Sequence, residues 1–150
     1  MACIQRLKWV FAEYPIYYIT ACTHGRQRIL ARPDVHETFI QFGLRAPEHG
    51  VCVGRYVIMP DHVHLFAGFG SEFRSVSSWT KSLKNTISKT LKGATISAPH
   101  WQKGFFDHVI RSGESYEEKW NYVRNNPVRA GLVRSAEDWP YAGEIAVLIF

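Results

Sequence analysis

Val51-Cys52-Val53-Gly54-Arg55-Tyr56-Val57-Ile58-Met59-Pro60-Asp61-His62-Val63-His64-Leu65-Phe66-Ala67 is the stretch that decides the fold. Two runs rich in β-branched and aromatic residues, 51–59 and 62–67, flank Pro60-Asp61, a pair suited to a tight turn. The pattern predicts a β-hairpin. Upstream, His49-Gly50 closes a segment from Pro33 to Arg45 in which Val35, Phe39, Ile40 and Phe42 recur at helical spacing, with Pro33 in the first turn. Earlier still, the aromatic and β-branched run from Tyr14 to Cys22 reads as a strand that stops at the polar Thr23-His24-Gly25-Arg26. Downstream, Phe73, Val76, Trp79, Leu83, Ile87 and Leu91 form one stripe of an amphipathic helix expected from Ser71 to Lys92. A short strand is expected from Phe105 to Arg111, then a helix from about Tyr116 to Asn125 that Pro127 breaks. Strand, helix, strand, strand, helix, strand and terminal helices is the order of an α+β split β-α-β fold, ferredoxin-like or RRM-like. Its antiparallel sheet would carry two helices on one face and leave the other face free for chemistry.

No repeat, low-complexity tract or linker divides the chain, so residues 1–150 are expected to form one domain. With 46% hydrophobic and 21% charged residues the composition is that of an ordinary globular protein, which excludes disordered and fibrous classes. Three scattered cysteines without a CxxC pair fit neither a disulfide framework nor a zinc ribbon. No apolar run reaches the roughly 18 residues of a membrane span, and the first residues lack a signal-peptide pattern. A cytoplasmic location and no membrane contact are therefore expected. The net charge of +5 favours a polyanionic partner.

His62-Val63-His64 is the most informative triplet. On a strand, alternation points both imidazoles to one face and Val63 to the other, so the pair can share a metal ion. Two surface histidines on a strand are the plainer alternative for a bare HxH. Tyr122 and Asn126 stand four apart, on one helical face if the helix extends that far. An Asn before proline often simply ends a helix, and Tyr116, Tyr141 and the Tyr14, Tyr17, Tyr18 group compete with Tyr122 for any nucleophilic role.

Three blocks taken together carry a resemblance: Met59-Pro60-Asp61-His62-Val63-His64-Leu65, then Trp101-Gln102-Lys103-Gly104-Phe105-Phe106-Asp107-His108-Val109-Ile110-Arg111, then Tyr122-Val123-Arg124-Asn125-Asn126-Pro127-Val128-Arg129-Ala130-Gly131-Leu132-Val133. In this order they resemble the HUH single-tyrosine transposases, most closely the REP-associated tyrosine transposases, from about Tyr17 to Tyr141. The resemblance implies a divalent metal, Mg²⁺ or Mn²⁺, on His62 and His64. It implies a nucleophile at Tyr122 on a C-terminal catalytic helix, and a further metal ligand at Asn126, where some relatives carry Gln. It also implies the split β-α-β fold, and a partner that is single-stranded or hairpin DNA. The implied assembly is a monomer with its site in one chain, or a homodimer with exchanged tyrosine helices.

These residue types suit transfer of a DNA strand. A metal held by neutral imidazoles polarises a phosphodiester oxygen, and a phenol, with a reference pKa of about 10, is both an accessible nucleophile and a leaving group for the reverse step. Lys81, Lys84, Arg111, Arg124 and Arg129 are candidate DNA-binding residues. For the lysines a solvated helix face is an equal alternative. Two other functions fit the same pattern. One is a rolling-circle initiator or relaxase; the other is a nucleic-acid-binding module of this fold without cleavage.

Overall fold

The computed structural model describes residues 15–70 and 75–148. Five strands form one sheet in the order β4-β1-β3-β2-β5, all neighbours antiparallel: β1 Ile16–Cys22, β2 Val51–Ile58, β3 His62–Phe69, β4 Phe106–Ile110 and β5 Ala142–Glu144. Helix α1, Pro33–Arg45, follows β1, and helix α2, Val76–Gly93, follows β3. The first four strands and these two helices are consistent with the expected split β-α-β arrangement. The expected helix start at Ser71, with Phe73, and the expected strand start at Tyr14 lie outside the described residues.

Helix α1 begins at Pro33, whose missing N–H is no loss in the first turn. Helix α2 begins where the Ser75 hydroxyl accepts a hydrogen bond from the Ser78 backbone N–H. Each buries its apolar stripe against one face of the sheet: Val35 and Phe39 from α1, and Trp79, Leu83, Ile87 and Leu91 from α2. They meet Ile19 and Ala21 of β1 and Val63, Leu65, Ala67 and Phe69 of β3. Full burial of such side chains stabilises by about 1.5–3 kcal/mol each, so this layer anchors the fold.

The opposite face is not free, contrary to expectation. Helix α3, Gly113–Arg124, lies on it, packing Tyr116 and Trp120 against Phe66 and Val123 against Val57 and Met59. Ala146 and Leu148 cover another part of that face. Helix α3 starts three residues before the expected Tyr116, because the Ser112 hydroxyl caps it by accepting from the Ser115 N–H. It ends at Arg124. Pro127 has no N–H to offer the Val123 carbonyl, so the ladder breaks at Asn125 and restarts in the short helix α4, Asn126–Arg129. Tyr122 and Asn126 therefore stand on two helices joined by a kink, not on one continuous face. Strand β5 was not anticipated, since Ala142-Gly143-Glu144 has no β-branched or aromatic residue. Cys22 is a buried free thiol, whereas Cys52 is disulfide-bonded, so the lack of a CxxC pair does not leave every cysteine unpaired. Among the described residues no helix is long and apolar enough to cross a membrane.

An irregularity in the β2–β3 pairing between Val53 and Tyr56 switches which β2 residues face α1 and α2, from Val51 and Val53 to Tyr56 and Ile58. Arg55, at this bulge, reaches over α3. Its guanidinium lies 5.1 Å from the Tyr116 ring centroid and 5.7 Å from that of Trp120, and it pairs with Glu117 at 2.8 Å and Glu144 at 3.3 Å. One side chain thus ties β2, β5 and α3 together. Gly54 makes the approach possible: a Cβ there would stand 2.6 Å and 2.7 Å from Leu148 side-chain carbons and 2.9 Å from the Tyr116 hydroxyl. Gly54→Ala is expected to destabilise the protein by about 1–3 kcal/mol in a urea titration. An unchanged midpoint would mean that α3 and the C-terminal segment are not held against the bulge.

Candidate metal centre and catalytic tyrosine

The hairpin turn before His62 is built to hold still. The Met59 N–H donates to the His62 carbonyl at 2.8 Å, closing a two-residue loop of Pro60 and Asp61. The Pro60 carbonyl accepts from the Leu30 N–H at 2.9 Å, and the Asp61 carbonyl accepts from the Thr23 N–H at 2.9 Å and its hydroxyl at 3.1 Å. From this turn β3 carries His62 and His64 onto the α3 face, the face opposite Val63 and Leu65. Their ring centroids stand 4.6 Å apart with planes at 78°.

Each imidazole has its Nδ1 side occupied. His62 Nδ1 is 2.7 Å from Asp61 Oδ1. An ionised carboxylate only accepts, so Nδ1 carries a proton and Nε2 is the nitrogen turned away from Asp61. Asp61 is in turn held by Arg26, whose Nε donates to Oδ2 at 3.0 Å. Asp61 stays below the usual carboxylate range: burial pushes it up, and the hydrogen bonds from His62 and Arg26 together outweigh that. His64 Nδ1 lies 2.6 Å from the Tyr18 hydroxyl and 2.8 Å from the Thr20 hydroxyl. A single in-plane lone pair cannot accept well from both, whereas an Nδ1–H can be shared between two oxygens; this assigns His64 the same tautomer. Burial, then the charges of His62, Lys119, Arg129 and Arg26, push the His64 pKa down to about 3, so the ring is neutral at any physiological pH.

As a donor type the two imidazoles suit a divalent ion, since each ring is oriented by a partner on its Nδ1 side. Among the described residues no group of three or more His, Cys, Asp or Glu side chains could hold a metal ion. The remaining candidate ligand, Asn126, presents its Oδ1 to Arg129, which donates a short hydrogen bond to it. The Arg129 guanidinium also lies 3.8 Å from the Tyr122 ring centroid. One arginine therefore joins Tyr122 to Asn126 across the kink.

Among the tyrosines, exposure separates the candidates. Tyr122 is 61% exposed, while Tyr116 is 3% exposed against Phe66, with its burial holding the phenol well above its ordinary pKa. Tyr17 packs on Phe69 in the α1 and α2 layer, Tyr141 packs on His36 and Trp139, and the Tyr18 hydroxyl is engaged by His64. Tyr14 lies outside the described residues.

The candidate DNA contacts scatter. Lys84 donates to the carbonyls of Gln102, at 3.1 Å, and of Gly104, and with exposed Lys81 it stands on α2, the layer behind the sheet. Arg124 pairs with Glu137 at 2.9 Å, and Arg111 is exposed at the end of β4. A cation that sequence reasoning missed, Lys119, sits on α3 with its ammonium 4.8 Å from the Tyr18 ring centroid. Thr20, Asp61 and Arg26 were missed as well, and Tyr18, a rival to Tyr122 by sequence, is instead a partner of His64. Asp61 adjoins the triplet in sequence, and Tyr18 and Thr20 alternate as His62 and His64 do, but only the strand register shows that the two alternations meet.

No family model matches the chain. A REP-associated tyrosine transposase of Escherichia coli is 27% identical over 90 residues, 60% of this chain and 52% of the relative, so the chain spans about half of that protein. A Haemophilus influenzae protein assigned to the same family is 26% identical over 142 residues, 88% of this chain and 81% of the relative. The chain is similar in sequence to REP-associated tyrosine transposases. A solved REP-associated tyrosine transposase bound to a REP hairpin superposes with a TM-score of 0.67 at 22% identity, over 85% of this chain and 75% of that one. A Deinococcus radiodurans protein assigned as a transposase superposes with a TM-score of 0.53 at 20% identity, over 75% and 90%. Both likenesses establish the α+β fold of this chain.

The carboxylate on His62 yields a test that needs no metal. In Asp61→Ala, nitrogen-detected NMR should show the His62 ring leaving the pure Nδ1–H tautomer for a mixture. Unchanged ring nitrogen shifts would show that Asp61 does not set the tautomer.

Proposed function

We propose that this chain is a metal-dependent DNA strand transferase of the HUH single-tyrosine type, acting on single-stranded or hairpin-flanked DNA through Tyr122. The observation that carries the reading is the grouping of an exposed phenol, two imidazoles with free Nε2 atoms, and the cations Arg129 and Lys119 on one face of the sheet. The hairpin complex of a structural relative supports the choice of DNA form. His62 and His64, with Asn126 as the family resemblance assigns it, would hold Mg²⁺ or Mn²⁺. Asn126 Oδ1 has two lone pairs, of which Arg129 uses one. The ion would act as a Lewis acid on a non-bridging oxygen of the scissile phosphodiester.

The chain's own groups carry the remaining steps. Arg129 and Lys119 offer fixed positive charge to the phosphate beside Tyr122, stabilising the charge that builds as the bond to the departing sugar breaks. The Tyr122 oxygen forms a bond to phosphorus, its proton passes to water, and the bond to the 3′-oxygen breaks. That oxygen takes a proton from water, leaving a 5′-phosphotyrosine and a free 3′-hydroxyl. Attack by another 3′-hydroxyl reverses the exchange and joins strands with no external energy source.

A paired, stacked duplex presents its backbone less readily to in-line attack than an unpaired flank does. With Mg²⁺, one sequence offered as single strand, hairpin with flanks and full duplex should be cut only in its unpaired flank, and chelation should stop cutting. His62→Ala and His64→Ala should each abolish cutting and weaken Mn²⁺ binding by at least tenfold in calorimetry. Efficient duplex cutting would mark an ordinary nuclease, and tight hairpin binding without any cutting would mark a binding module.

A further inference from the structure

Phe106 is a large hydrophobic side chain left 69% exposed on the edge strand β4. Leaving such a ring in water forgoes the stabilisation that burial brings. Its position is determined by register. Thr20 is paired with Phe106 on one side and with His64 on the other, so the three side chains form one row on the α3 face. Two strand spacings put Phe106 about 10 Å from His64 across the sheet. The next row repeats the pattern with exposed His108 beside Tyr18 and Phe66. Helix α3 buries the Ile110 end of β4 and stops short of the Phe106 end.

The strand leading into this ring is held firmly. The Gln102 N–H donates to the Cys22 carbonyl at 2.9 Å, and the Trp101 indole N–H lies 3.1 Å from both the Lys84 carbonyl and the Ser88 hydroxyl. Lys84 in turn donates to the Gln102 and Gly104 carbonyls. An exposed aromatic on a fixed backbone loses little entropy when a flat partner stacks on it. Exposed Lys103 and Arg111 bracket β4, and Lys119 and Arg129 stand on the His64 side, so the partner that fits carries both flat apolar rings and negative charge.

We propose that Phe106, with His108 beside it, is a stacking platform for an unpaired base of the DNA strand whose phosphate lies at His62 and His64. The inference rests on the strand-transferase reading and adds to it the surface that positions the unpaired flank. The row from Phe106 through Thr20 to His64 lets neighbouring nucleotides of one extended strand meet both places.

The test uses a hairpin-bearing DNA oligonucleotide with 2-aminopurine placed in turn at each position of its unpaired flank. Wild-type protein should quench one position by stacking. Phe106→Ala should abolish that quench and weaken binding about tenfold, while Phe106→Trp should restore both. Leu44→Ala, an exposed residue on α1, should leave affinity unchanged. Full quenching and wild-type affinity in Phe106→Ala would overturn the platform. So would a change from dimer to monomer in Phe106→Ala with unaltered DNA affinity, which would mark the edge as a contact between two copies of this chain. Covalent adduct on the same oligonucleotides is scored separately. Adduct without a Phe106 effect removes the platform alone, whereas a Phe106-dependent quench without adduct removes strand transfer and upholds the platform.

Discussion

The site depends on the hydrogen bonds that fasten the Pro60–Asp61 turn to Thr23 and Leu30. They fix where β3 begins, and the period of two along a strand then fixes which face receives His62 and His64. A slip of one residue would send both imidazoles into the apolar layer under α1 and α2 and bring Val63 and Leu65 out. The burial of those two side chains, with Phe69 and Ala67, makes that slip costly. The same core that stabilises the sheet therefore sets the orientation of the candidate ligands.

Pairing of β1 with β3 supplies the next level of order. It brings Tyr18 and Thr20 to His64 Nδ1, while the turn brings Asp61 to His62 Nδ1. Two unlike partners, a pair of hydroxyls and a carboxylate, give the same outcome, with Nε2 left open on both rings. Lys119 and Arg129 add positive charge next to the neutral His64 ring, an arrangement that is unfavourable for a further cation and favourable for an anion. Under the proposed function a phosphodiester would answer these cations, and a metal ion at the histidines would be best accommodated together with that anion.

The hairpin, α1 and the apolar stripe of α2 were legible because hydrophobic period and turn chemistry agree there with the tertiary structure. Helix α1 spans the predicted residues, Pro33 to Arg45. The His62-Val63-His64 alternation was legible for the same reason. Strand β5 was not, because its three residues pair with β2 through backbone bonds that leave no side-chain pattern. The docking of α3 on the second face was hidden as well, since it depends on the bulge at Gly54 and Arg55 rather than on helical periodicity. Tyr18, Thr20 and Lys119 act through register and packing, so no local spacing could mark them, whereas Asp61 stands next to His62 in sequence; the kink between Tyr122 and Asn126 changed how that pair relates.

Locating the covalent bond on the protein tests the central claim most directly. After incubation of the wild-type chain with hairpin-flanked DNA and Mg²⁺, proteolysis and mass spectrometry should find a 5′-phosphonucleotide on Tyr122 alone. A nucleotide on Tyr18, Tyr116 or any other residue, or cut DNA with no protein adduct at any time, would contradict the account.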